Sequence, residues 1–266
     1  MSNWLKISFQ TIKDYWKITL ILTILFMIIS AMYAGMYPAF KDVLADLGPG
    51  FTESFNFLPN AEDITSYVGF LNIELYQIFW MLIFGILISF VAASMISKEI
   101  EGKTIDLLMS NPVSRKQVVL EKYIGLIPLI LIVNFAAMLV LMGITLGTNE
   151  ELNFRYLFLT HVVSIPYFLA VAGVGIFISV IIDEKMKASI IMIAVLVGMF
   201  VLRSISLMIP DYKNLGLVSL NNYFNPYDVL KEGNVDTVGV IILVVVALEC
   251  ILFAMLYFER RDIAVT

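Results

Sequence analysis

The chain has 266 residues, of which 60% are hydrophobic and 15% charged, and its mean hydropathy is +0.92. Soluble domains lie near 45–50% apolar and about 25% charged, so this balance excludes an ordinary soluble domain and points to a membrane protein. A single cysteine and a single histidine exclude an internal disulfide framework and a Cys/His metal cluster; the net charge of −5 matters less than how charge is divided across the bilayer.

The whole chain is expected to form one membrane domain, 1–266, of the all-α class. Residues 2–17 come first. Lys6, Gln10, Lys13, Asp14 and Lys17 recur on one side of a helical projection, with Trp4, Leu5, Phe9, Ile12, Tyr15 and Trp16 on the other. That spacing predicts an amphipathic helix in the interface, the alternative being a plain extension of the first span. Six apolar stretches then reach the ~20 residues that a bilayer crossing needs: 18–40, 75–97, 123–149, 156–182, 188–210 and 237–258. The first is too long for a signal-peptide core and is read as retained. Only His161, Arg203 and Glu249 bring ionisable side chains into these stretches. Strand-like alternation is not evident, which argues against a barrel.

Six crossings put both termini on one side. With the termini inside, the inner segments hold Lys6, Lys13, Lys17, Lys98, Lys103, Arg115, Lys116, Lys122, Lys185, Lys187, Arg260 and Arg261, against Lys41, Arg155, Arg203, Lys213 and Lys231 outside. This bias predicts a cell-membrane protein with cytoplasmic termini. The outer segments 41–74 and 211–236 are expected to cap the outer mouth, with Asn225-Pro226 marking a turn.

The inner stretch 99–115, EIEGKTIDLLMSNPVSR, contains Gly102-Lys103-Thr104, the ending of a phosphate-binding loop. Such a loop needs an earlier glycine and a preceding strand so that its amides wrap phosphate. Here Ser97 stands at the glycine position and a membrane helix precedes it, so the match is out of context. Ile100, Thr104, Leu107 and Leu108 recur at helical spacing, opposite Glu99, Gly102, Lys103 and Asp106, which predicts a short amphipathic helix beneath the membrane. Asn111-Pro112 stops it, and Ser114 with Gln117 forms a capping-box pattern for the next helix. The alternative is a solvated loop.

These residues resemble the first cytoplasmic loop of type-two ATP-binding-cassette (ABC) transporter permeases. Glu99-x-Glu101, then Thr104-Ile105-Asp106-Leu107-Leu108, then Pro112-Val113-Ser114-Arg115 follow that family's pattern, and Phe258-Glu259-Arg260-Arg261-Asp262 is similar to its carboxyl end. One departure stands out: the glycine precedes Lys103, whereas in the family it directly precedes the threonine. The resemblance implies a permease subunit, in the exporter sense, paired with a second copy or a sister chain and driven by a separate ATPase subunit that binds the ATP and Mg. No cofactor is expected in this chain itself, no nucleic acid partner, and no catalytic role. It further implies that 99–115 is a coupling helix, with Glu99, Glu101, Lys103, Thr104, Asp106 and Arg115 as ATPase-subunit contacts. Asp183, Glu184, Lys185 and Lys187 form a possible second contact, or simply a solvated loop.

Glu249 lies midway along the last stretch, where a lipid-facing charge is costly. It is a candidate for the pathway, for an interface, or for a neutral packing residue; an ion-coupled secondary transporter using it is the alternative function. Arg203 is expected to snorkel or to pair with an acid such as Asp211. His161 is read as structural, and Asn134 and Gln77 as hydrogen-bonding between helices. The methionine pairs Met32/Met36 and Met138/Met142 read as packing or as a soft-metal path. Ala31/Gly35, Gly143/Gly147 and Gly175/Ser179 are small-residue pairs suited to close helix packing.

Overall fold

The computed structural model describes residues 5–46, 55–105 and 113–261, which are helical or in turns, with no strand among them. Six of its helices are long and apolar enough to cross a membrane. They are α1 (Lys6–Asp46), α2 (67–94), α4 (Arg115–Thr148), α5 (Phe154–Ile181), α6 (Lys185–Met208) and α8 (Thr237–Arg260); two short helices, α3 (Ser97–Glu101) and α7 (Pro226–Glu232), lie between them. The start of α1, the start of α4 and the end of α8 meet at one end of the bundle. That end is called the terminal end below, and the opposite one the far end.

Polar side chains start the helices where the sequence offers them. Ser114 accepts from the Gln117 amide at 3.1 Å and opens α4, but the Gln117 side chain turns to Glu121 at 2.6 Å instead of closing the capping box. Asn153 opens α5, Asn225 opens α7 with Pro226 at its first position, and Asp236 opens α8. Each supplies an acceptor to amides that have no partner within the helix. Asn225-Pro226 is thus a helix start within a far-end segment that is largely helical.

Several expected boundaries move. Residues 2–4 of the expected interfacial helix lie outside the described residues, and no break separates its remainder from the first span: α1 runs unbroken from Lys6 through residue 17 and on to Asp46. Its first turns do keep Lys6, Gln10, Lys13, Asp14 and Lys17 exposed, yet the buried stripe is Ser8, Thr11 and Tyr15, while Phe9 and Trp16 face outward. The second span starts at Tyr67, eight residues ahead of the apolar stretch at 75, and its residues Leu71–Phe84 form a π-helix between α-helical ends. Such π segments are rare and usually single-turn insertions. At Gly69 a side chain would collide with the Asp63 carbonyl, 1.8 Å from an added Cβ, so the approach of the far-end segment to α2 requires glycine.

α2 and α5 form the buried centre, whereas α1, α6 and α8 are the least covered spans. Aromatic rings fill the core between α1, α2 and α5: Trp80 meets Phe26 edge-on at 5.6 Å and Phe168 at 5.8 Å, and Phe84 meets Phe168 at 4.7 Å. α5 lies against α2 because Gly175 leaves room for Ala92, whose Cβ would be 2.8 Å from one added there. Of the three small-residue pairs, Gly175/Ser179 builds this contact. Gly143 and Gly147 have nothing within 4 Å of an added Cβ.

Candidate partner-contact site at the terminal end

α2 ends at Ser94, and the chain bends through Met95 and Ile96 into α3. Ser179 of α5 holds the bend, its hydroxyl accepting the amides of Ile96 at 2.8 Å and Ser97 at 3.0 Å. The expected continuous helix through Thr104 is interrupted. Gly102, Lys103 and Thr104 close α3 in a Schellman turn: the Thr104 amide donates to the Glu99 carbonyl at 2.9 Å and the Lys103 amide to Ile100 at 3.0 Å. Lys103 takes the left-handed position at φ 54°. With the Gly102 amide also donating to Lys98, all three amides are committed to carbonyls and none is turned toward a phosphate. Asp106, Leu107, Leu108 and the stop at Asn111-Pro112 lie outside the described residues.

The charged side chains tie this turn to the spans. Glu99 accepts from the ammonium of Lys122 at 2.8 Å and from the Thr104 hydroxyl; Lys122, on α4, is only 5% exposed. Glu101 accepts the Lys185 amide at 2.9 Å. It thereby caps the first turn of α6, which the preceding Glu184 side chain leaves uncapped, and a carboxylate there also suits the helix dipole. Lys98 donates to the Tyr15 hydroxyl at 3.2 Å, its ammonium 4.7 Å from the centre of that ring. Arg115 reaches across to the end of α8, donating to the carbonyls of Phe258 at 3.2 Å and Arg261. Arg261 in turn donates to Val180 at 2.6 Å and pairs with Asp183 at 2.5 Å.

Of the residues singled out as contacts, Glu101, Lys103, Thr104, Asp183, Glu184, Lys185 and Lys187 are exposed on this end, while Glu99 and Arg115 are half-buried in ties within the chain. Glu184 pairs with Lys187 at 2.5 Å along its own helix. The two inner segments are brought together through Glu101 and Lys185.

Glu121 went unread in the sequence, and Lys122 entered only as one of the inner positive charges. Glu121 is fully buried, and its carboxylate accepts the amides of Ile7 at 2.8 Å and Ser8 at 3.3 Å, while Ser8 donates back to the Glu121 carbonyl at 2.8 Å. A side chain of α4 therefore caps α1. Gly125, one turn on, would strike Thr11 with any Cβ, at 2.7 Å. The only available signal was an acid–base dipeptide directly ahead of an apolar span.

Glu249 is exposed on α8, on the side away from the buried stripe Leu243, Ala247, Ile251, Ala254 and Phe258. It does not line the interior of this bundle. His161 is buried, with Nδ1 2.6 Å from the Asn134 amide oxygen and Nε2 3.0 Å from the Tyr76 hydroxyl; Asn134 returns a hydrogen bond to the His161 carbonyl at 2.7 Å. Asn134 thus bonds between helices, but Gln77 bonds to Asn72 of its own helix at 3.2 Å. Arg203 is half-buried and makes no ion pair with Asp211 among the described residues. Met138 and Met142 pack into the core while Met32 faces outward, so the two pairs share no path.

The helical layout agrees with one comparison. The description of the ABC-2 family transporter protein matches residues 10–263. The chain belongs to the ABC-2 transporter family. It is accordingly a multi-pass membrane protein and a permease component of an ABC transporter, a class that works with an ABC ATPase subunit. A search of curated proteins finds no match. In this ABC-2 permease the described parts of the motif, 99–105 and 113–115, lie at the terminal end, Arg115 against the end of α8.

Proposed function

We propose that this ABC-2 permease is the membrane half of an ATP-driven exporter. In this reading a separate ATPase subunit, carrying the ATP and Mg, docks on the terminal end, which is cytoplasmic by the distribution of lysine and arginine. The observation that carries it is the exposed turn at Glu101–Thr104 tied to three spans, through Ser179 on α5, Lys122 on α4 and the amide start of α6. A push on such a turn has rigid routes into the bundle. Lys103, Thr104 and Asp106 meet the ATPase subunit, with Asp183, Glu184, Lys185 and Lys187 as the rim of the same contact. Glu99, Glu101 and Arg115 set the turn's position.

A second permease copy completes the assembly. Glu249 supports this, because an outward carboxylate at mid-span costs about 3 kcal/mol facing lipid and is better placed against protein.

The test is co-purification of the permease with its ATPase subunit. Lys103→Glu combined with Asp106→Arg is expected to weaken the complex at least about tenfold, the equivalent of 1.4 kcal/mol, and to abolish ATP-driven transport while the permease remains folded. A double variant that assembles and transports like wild type would sink the assignment.

A further inference from the structure

An apolar cleft of about 260 Å³ opens between α1 and α4 on the outside of the bundle, toward the terminal end. Tyr15, Trp16, Thr19 and Thr23 form one wall, Gly125 and Pro128 part of the other. The two threonines expose little polarity, because Thr19 donates to the Tyr15 carbonyl at 3.0 Å and Thr23 to Thr19 at 2.7 Å. Both walls belong to helices long and apolar enough to cross a membrane, so the cleft faces the bilayer side of the bundle.

Lys13 and Lys17 are exposed on α1 alongside the wall that runs from Ile12 to Thr23, the Lys17 ammonium 5.9 Å from the centre of the Trp16 ring, and Lys6 lies nearer the terminus; the one exposed acid of these turns, Asp14, already accepts from Gln10 at 2.7 Å. Trp16, 54% exposed, stands at the same level, as interfacial tryptophans do. A concave apolar slot flanked by an excess of positive charge at an interfacial tryptophan matches a molecule with an alkyl tail and an anionic head.

We propose that the cleft between α1 and α4 binds one acyl chain of an anionic phospholipid from the surrounding bilayer, with its headgroup set against Lys13 and Lys17. The site differs from ordinary lipid contact in being concave and in selecting charge. Its floor is fixed, since the Glu121 cap and the Gly125–Thr11 contact hold α1 against α4 on the terminal side.

Full-length protein in detergent, supplied with phosphatidylglycerol or phosphatidylcholine of identical chains and examined by native mass spectrometry, tests this. Wild type is expected to retain one phosphatidylglycerol per chain in preference to phosphatidylcholine. With each lysine near a membrane surface worth about fivefold, Lys13→Gln with Lys17→Gln should cut that preference roughly tenfold or more. Ile132→Trp, at a cleft position 51% exposed, should reduce retention of both lipids. Equal retention of the two lipids by wild type, or an unchanged preference in the lysine variant, overturns the proposal. So does undiminished retention in Ile132→Trp, and a change of oligomeric state there without lipid loss would identify a second copy as the occupant.

Discussion

Lys103 is the residue whose backbone and side chain pull in different directions. It directly precedes Thr104 and takes φ 54°, a conformation that costs a residue with a Cβ about 1 kcal/mol relative to glycine. The glycine sits one place earlier, at the ordinary φ −79° of Gly102, where its freedom is not used. A family pattern with glycine directly before threonine puts it where this turn needs it. Lys103→Gly should therefore stabilise the isolated permease by about 1 kcal/mol, raising its unfolding temperature in detergent by about 2–4 °C; an unchanged or lower temperature would contradict the strain. The sequence showed the chemistry of this stretch but not its shape, because the amphipathic spacing of Ile100, Thr104 and Leu107 continues past a break that only the dihedral angles reveal.

At the scale of elements, the spans were legible because the bilayer imposes length and apolarity directly. Their ends were less so. α1 and α2 reach beyond the apolar stretches with tyrosine-, serine- and charge-bearing turns whose partners come from distant segments, such as Glu121 for the start of α1 and Thr145 for Tyr67 at the start of α2. The π-helical register of Leu71–Phe84 left no trace, since Asn72, Glu74 and Gln77 lie in its first half and the apolar remainder has no periodicity by which to tell the two helices apart. Packing partners were legible only in part: three glycine or alanine spacings looked alike, yet only Gly175 faces a neighbour's backbone, with the Ala93 nitrogen 3.2 Å and the Ser89 carbonyl 3.3 Å from an added Cβ. Gly175→Ala should destabilise the bundle by about 1–3 kcal/mol through overpacking. Gly143→Ala, with open space around it, should gain about 0.5–1 kcal/mol from helix propensity. Thermal unfolding of the two variants compares them, and equal shifts would refute the assigned contact.

Across the whole molecule, the two ends are closed by different chemistry. At the far end Asp63 accepts from Ser66 and Tyr227 at 2.7 Å and from Lys231 at 3.0 Å, joining the segment before α2 to α7. Partial burial alone would raise the Asp63 carboxyl, but the Tyr227 and Ser66 hydrogen bonds and the Lys231 ammonium outweigh it and hold the group below its ordinary value of 3.8. A depressed carboxyl contributes stability that is complete above the unfolded value and disappears as pH falls through the folded one. The stability gap between wild type and Asp63→Asn should accordingly be present at neutral pH and narrow in a medium more acidic than the ordinary carboxylate value of 3.8. Thermal unfolding at the two pH values measures it, and a gap that persists in acid would exclude the clasp as its source.

The terminal end instead joins helices through carboxylates that cap a neighbour's first turn. Because Glu121 grips the opening amides of α1 while the adjacent Lys122 grips Glu99, the amino-terminal turns and the proposed docking segment are geared to the same shaft. A fluorophore attached at the outward-facing Phe9 position is then expected to report a displacement of that segment from the opposite side of the linkage.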